Sequence, residues 1–156
     1  MRWAGGRQII GVAIGVALLL AGAMPAAGQG AGGAIGQIKV VKGAVHVERG
    51  GQRLPATVGL PVQETDVVVT GPDGSVGITF ADDSLLSVGP SSTLAIDRFA
   101  FDPTTHRGTH ETSLRQGTLS GVSGKIARQT PEAMKVKTPA AILGVRGTEF
   151  AVRADQ

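Results

Sequence analysis

The chain has 156 residues, 42% hydrophobic, 3% aromatic and 17% charged, with 24 Gly, 8 Pro and no Cys. That length suits one ordinary domain and excludes most two-domain enzymes. Charged residues fall below the usual share of about a quarter, which argues against a solvated disordered chain, and the Gly and Ala content argues against a long-helix protein.

The N-terminus reads as an address. Arg2 and Arg7 precede an apolar run from Ile9 to Met24, and the small-residue stretch Pro25–Gly30 follows. Basic, apolar and small-residue regions in that order describe a secretory signal peptide, assigned to residues 1–27 with cleavage between Ala23 and Gly30. A flexible Gly/Ala linker is expected over 28–35. The run is short and glycine-diluted for a helix that must span about 20 residues of hydrocarbon, though an uncleaved single-pass anchor is the alternative. Lipid attachment is excluded, because there is no Cys to acylate. The expected location is the periplasm or the exterior, with a membrane association only if the leader is kept.

Removing the leader takes two of the 15 basic residues, leaving 13 against 12 acidic ones, or +1. Trp3 leaves as well, and the remaining aromatics, Phe80, Phe99, Phe101 and Phe150, make no stacking platform for bases. Nucleic acid is therefore not an expected partner. Without disulfides, stability has to come from an apolar core and backbone ladders.

From Ile35 onward apolar residues recur at every second position, as in Ile38/Val40, Val45/Val47, Val67/Val69, Val76/Ile78/Phe80, Leu94/Ile96, Phe99/Phe101 and Phe150/Val152. Period two predicts half-buried strands. Turn formers separate them at Gly50–Gly51, Gly71–Gly74, Asp82–Ser84 and Gly89–Ser92. No helix of normal length is expected; the best candidate is a turn at Pro131–Met134 with Thr130 as N-cap. The starts Asp73, Asp82 and Ser91 lie nine residues apart, as rungs of a β-solenoid would, and a meander in a sandwich or barrel gives the same spacing. The predicted class is all-β, a small solenoid-like or sandwich-like domain, with an exposed loop at Pro103–Gly108.

Residues 43–97 hold two basic and seven acidic residues, and residues 98–156 hold nine basic and five acidic ones. Either the halves pair with each other or they polarise the surface and steer a charged partner. His106, His110 and Glu111 suggest a metal, but Gly108 and Thr109 do not make the helix that would align the rings, so an exposed polar loop is expected. Asp73, Asp82, Asp83 and Asp97 are read as turn residues, with calcium the alternative. Adjacent Asp82 and Asp83 would diverge on a strand, which disfavours a glycosidase. Gly121-Val122-Ser123-Gly124 lacks the spacing of a nucleophile elbow, and Gly124-Lys125 is followed by Ile126, not by the Ser or Thr of a phosphate loop. Gly121 and Gly124 are read as turn residues. No enzyme activity, metal or cofactor is expected.

The most distinctive stretch runs from Val136 to Val152. Thr138-Pro139 begins an extended segment, Gly144 and Gly147 permit a bend or close backbone approach, and Phe150 and Val152 return to a buried face. Arg146 would tie backbone carbonyls or a carboxylate, or else touch a partner. Thr138, Pro139, Gly144, Arg146, Gly147, Thr148 and Phe150 form the candidate structural or interaction motif.

Thr138-Pro-Ala-Ala-Ile-Leu-Gly-Val-Arg-Gly-Thr-Glu-Phe150 resembles the closing signature of the FecR domain, found in exported sensory proteins and iron-transport regulators. Gly43-Ala-Val45-x-Val47, Val58-Gly59, Asp66-Val-Val-Val-Thr-Gly71, Val76-Gly-Ile-Thr-Phe80, Asp82-x-Ser84 and Leu114-x-x-Gly117-x-Leu119 occur in the family's order. The resemblance covers residues 36–152 and leaves 153–156 as a tail. Thr65 and Asp83 stand where the family usually has Gly, so those two turns are expected to differ in geometry. The resemblance implies an exported, solenoid-like β-domain of sensory or interaction type, with no catalytic residues to carry over. Together with export and the strand architecture it leads to the expectation of a non-enzymatic module that contacts an envelope or membrane signalling protein. It does not carry over anti-sigma activity, since the few residues before the apolar run are too short to hold a sigma factor. A small-ligand or glycan-binding role is the alternative, and unpaired strand edges make self-association a further expectation.

Overall fold

The computed structural model describes residues 33–155, so the expected leader and most of the linker lie outside the described residues. The elements in order are β1 (Gly36–Lys42), β2 (Val45–Arg49), β3 (Gln52–Pro55), β4 (Pro61–Val62), β5 (Val67–Thr70), β6 (Ser75–Phe80) and β7 (Leu85–Val88). Then come β8 (Thr93–Phe101), β9 (Gly108–Val122), helix α1 (Lys125–Gln129), a 3-10 turn (Pro131–Ala133), β10 (Met134–Lys137), β11 (Ile142–Gly144) and β12 (Glu149–Ala154).

The strands form one sheet curled on itself, ordered β3-β2-β5-β8-β9-β7-β6-β1-β4. Strand β9 is the hinge of this arrangement. Its first part, Gly108–Gln116, pairs with β8 and, in parallel, with β10; its second, Gly117–Val122, pairs with β7 and β12. One leaf therefore reads β4-β1-β6-β7-β9-β12 and the other β3-β2-β5-β8-β9-β10-β11. Ile38, Ile78, Phe80, Leu86 and Leu119 of the first leaf and Val47, Val68, Leu94, Ile96 and Leu114 of the second join one buried core. Alternation along the strands puts these residues on the inner face, as the sequence period requires.

The chain passes between leaves along a line of bends. Gly71 N donates to Ala44 O (2.8 Å), Ser91 N to Gly71 O (2.9 Å), Gly89 N to Thr118 O (3.0 Å) and Thr118 N to Ser92 Oγ (3.0 Å), so each bend is bonded to the next. Buried Thr70 donates its Oγ1 to Gly89 O (2.6 Å) and accepts from Ser92 N (2.9 Å). Gly117 turns β9 at φ +92, and a Cβ there would sit 2.6 Å from Ser92 Cα. Only glycine fits both the angle and the space.

The all-β expectation holds. Of the two architectures left open, the antiparallel ladders match the sandwich or barrel; the nine-residue spacing arises because β6 and β7 are neighbours while β8 has crossed to the other leaf. Pro103–Arg107 is the exposed loop of the β8–β9 hairpin. The predicted turn at Pro131 is a 3-10 turn, but Thr130 makes no side-chain cap, and the five-residue α1 before it was not foreseen. Gly121 lies inside β9 rather than in a turn, and Asp97 inside β8. Ile35, assigned to the linker, already bonds Val62 O (2.9 Å), and β12 continues past Val152 to buried Ala154. Thr65 and Asp83 keep positive φ, +72 and +64, so the two turns retain the glycine-like backbone that their residues disfavour.

Candidate interaction site

The closing segment separates into an exposed hairpin and a fastened return. Strand β10 is buried at Met134 and Val136, beside β9, while β11 is exposed throughout and pairs with β10 alone among the described residues. Thr138 closes the hairpin turn: its N donates to Ala141 O (2.7 Å), and its Oγ1 accepts from Ala141 N (3.1 Å). Pro139, Ala140 and Ala141 make up the exposed tip. Ile142 and Leu143 remain 68% and 39% exposed, so the hairpin presents apolar side chains beside an unpaired strand edge.

After the hairpin, Val145 is buried and donates its N to Met134 O (3.0 Å). Arg146 is different. Its side chain is 80% exposed and, among the described residues, pairs with Glu132, at 3.6 Å and itself exposed. Among the described residues it ties no backbone carbonyl, and an exposed pair of this kind contributes about 0–1 kcal/mol. Gly147 takes φ +102, which requires glycine; its carbonyl accepts from Ser123 Oγ (2.6 Å), and Thr148 O accepts from Ser123 N (2.7 Å). Gly144 has neither a positive φ nor any atom crowding it, so the expected close approach does not occur there. Half-buried Phe150 lies opposite Gly121, and a Cβ on Gly121 would sit 2.6 Å from its ring. The seven motif residues thus divide: Thr138, Pro139, Gly144 and Arg146 belong to the exposed hairpin and its exit, and Gly147, Thr148 and Phe150 anchor the return.

A second constellation was not legible in the sequence. Asp82, Ser84 and His110 are all fully buried. Ser84 Oγ donates to Asp82 Oδ1 (2.6 Å), as does Ser84 N (3.2 Å), and His110 Nδ1 stands 3.4 Å from the same Oγ. The ring packs against Phe80 and Phe99, with centroids 4.5 and 5.1 Å away. Burial holds the imidazole well below its ordinary 6.5, at about 4, although Asp82 pulls the other way. Asp82 Oδ2 and His110 Nε2 are buried without a hydrogen-bond partner among the described residues. Ser84 is no nucleophile, because its hydroxyl is sealed in the core and its hydrogen is directed at Asp82.

This corrects the reading of His110 as part of an exposed polar loop. His106 does lie in that loop, at φ +58, stacked on Phe101, but His110 is two residues inside β9 on its inward face, so the rings point to different places. The available signal was the alternation His110, Thr112, Leu114, all inward. Among the described residues no three His, Cys, Asp or Glu side chains gather as metal ligands. Asp73 and Asp83 are exposed in turns, and Asp82, in the same turn as Asp83, is buried.

The two oppositely charged halves meet in ion pairs at Asp83–Lys125 (2.7 Å) and Asp97–Lys137 (3.6 Å), where Lys137 also holds Glu111 (3.1 Å). Hydrogen bonds from these lysines lower the carboxyls of Asp83 and Glu111. Buried Asp66 takes two bonds from Arg49, at 2.8 and 2.7 Å, and one from Gln63 N (2.9 Å). The outer face of β7, β9 and β12 carries two shallow open grooves of about 360 and 520 Å³, joined through Ser87, Ser120 and Ala151.

No helix among the described residues is long and apolar enough to cross a membrane. No curated protein and no solved structure matches the chain. The family described as FecR protein matches residues 66–156, from the buried Asp66 through the Asp82–Ser84 turn to the closing segment. Upstream pieces of the resemblance, Gly43–Val47 and Val58-Gly59, lie outside that match. With more than half of its length matched in this way, the chain belongs to the FecR protein family.

Proposed function

We propose that the protein is an exported, non-enzymatic sensory or interaction module of the cell envelope, and that it acts by contact with another envelope protein through the β10–β11 hairpin and Arg146. Membership of the FecR family supports a regulatory role in the envelope. One observation carries the choice of surface: Ile142 and Leu143 are exposed at a strand edge that is unpaired among the described residues, near an arginine whose ion pair with Glu132 is itself exposed. Backbone groups of such an edge give affinity by strand addition, and apolar side chains give specificity. The test is cross-linking and affinity capture from the native envelope with Ile142→Ser/Leu143→Ser and Arg146→Ala beside the wild type, each checked for folding. A protein captured by the wild type and lost from both variants supports the reading; equal capture by all three, or none by any, overturns it.

The joined grooves on β7, β9 and β12 favour a second reading, a small-ligand or glycan site. It predicts a rise in Tm with siderophores, peptidoglycan fragments or sugars, by mass action on the folded state. A flat response across these probes removes it.

A further inference from the structure

The buried Asp82–Ser84–His110 cluster lies where the closing segment joins the curled sheet. Gly124, which begins α1, passes so close that a Cβ on it would stand 2.3 Å from Asp82 O and 2.5 Å from Ser84 N, and Lys125 N donates to Asp82 O (2.7 Å). On the other side His110 is in register with Met134, the first residue of β10, whose carbonyl in turn accepts from Val145 N (3.0 Å). The stretch from Gly124 to the start of β10 is therefore fastened to the cluster at Gly124–Lys125 and, through the His110–Met134 register, to the strand that carries the imidazole, and the exposed hairpin follows directly from it.

The surroundings of that imidazole favour its neutral form. The Ser84 hydroxyl gives its hydrogen to Asp82, so its remaining lone pairs face His110 Nδ1, which carries the ring's hydrogen. Nε2 then keeps a bare lone pair beside Phe80 and Phe99, with no partner among the described residues. A second proton would place a buried donor where nothing accepts it, and a charge where water cannot reach. The charged group that faces the ring is Asp82. Phe80 from β6, Ser84 from the following turn, Phe99 from β8 and Met134 from β10 add no charge, and Lys125 and Arg128 of α1 act instead on exposed Asp83.

We infer that the Asp82–Ser84–His110 cluster is an acid-sensitive latch: a proton on His110 Nε2 frees the Asp82–Ser84 turn from Gly124–Lys125 and disturbs the pairing of β9 with the start of β10, and so loosens the segment that bears the hairpin. The latch is a property of the fold and stands without the contact function; only its consequence, that acid changes presentation of the hairpin to a partner, rests on that reading. One proton linked to opening raises the opening constant by up to about tenfold per pH unit, between the ordinary value of the ring and its lowered one.

The experiment is amide hydrogen exchange of the folded protein at steps from pH 7 to pH 4, corrected for intrinsic rates, with NMR of the histidine rings in parallel. The expected result is a loss of protection in Lys125–Gln129 and Met134–Gly144 that exceeds tenfold overall, while β2 and β5 amides hold and the His110 ring stays neutral to below pH 5. A His110→Gln variant that folds is expected to lose this acid response. Protection that falls equally in both regions, protection that does not fall, or a His110 ring that titrates near 6.5 in the folded protein each overturns the latch. None of these readings depends on a partner, so its failure is distinct from failure of the contact function.

Discussion

The line of bends between the leaves and the closing hairpin are written in the same alphabet of Gly, Pro, Ser and Thr, and they do opposite things. At Gly71–Gly74, Gly89–Ser92 and Gly117, backbone and hydroxyl groups bond one bend to the next, and Thr70 and Ser92 are buried. At Thr138–Gly144 the bonds stay within the turn, and the side chains beyond it face solvent. Turn chemistry alone does not tell a structural seam from a presented surface. What separates them is where the polar groups find partners.

Substitution at matched glycines breaks this comparison most sharply. Gly117→Ala meets both the φ penalty and Ser92, and is expected to cost about 3–4 kcal/mol in denaturant unfolding, whereas Gly144→Ala, with open space around it, should stay within about 0.5 kcal/mol. Similar costs at the two positions would dissolve the distinction.

Acid provides the next largest effect. The folded value of His110, about 4, lies below its ordinary 6.5, so the unfolded chain binds the proton more readily. The contribution of the neutral ring is fully present above about pH 6.5, is lost as pH falls toward 4, and is constant below that. Its size is roughly 3 kcal/mol at one pH unit per 1.36 kcal/mol. Urea midpoints measured across this range should fall for the wild type and flatten in His110→Gln; parallel curves would contradict the assignment.

The turns at Thr65 and Asp83 sharpen the comparison in the opposite direction. A β-branched residue at φ +72 stores strain, and Thr65→Gly is expected to raise stability by about 1 kcal/mol, read as a higher urea midpoint. A loss would mean that the Thr side chain holds its turn by a contact. The smallest effect belongs to the hairpin, where Arg146→Ala should leave stability within about 0.5 kcal/mol by thermal melting, because its pairing with Glu132 is exposed on both sides.

Much of the fold was legible because alternation and turn residues report burial directly. Val76/Ile78/Phe80 and Leu94/Ile96 fall on the inner face as their period requires. The crossing of β8 to the second leaf was not legible, since a nine-residue spacing says how far the chain runs before it turns and not which strand it pairs with. Likewise Thr138, Pro139 and Arg146 drew notice by composition and are found on the surface, while His110 was misplaced because its neighbours Gly108 and Thr109 resemble a loop. Its burial depends on Phe80 and Asp82, brought to it from a distant part of the chain. Asp83 shows the converse: the missing glycine was visible, but the backbone keeps the left-handed turn without it.

The most direct measurement is quantitative affinity capture from the native envelope with three folded proteins: wild type, Ile142→Ser/Leu143→Ser and Gly144→Ala. Contact through the hairpin predicts one specific envelope protein held by the wild type and Gly144→Ala and lost from the double variant. Equal retention by all three would contradict it.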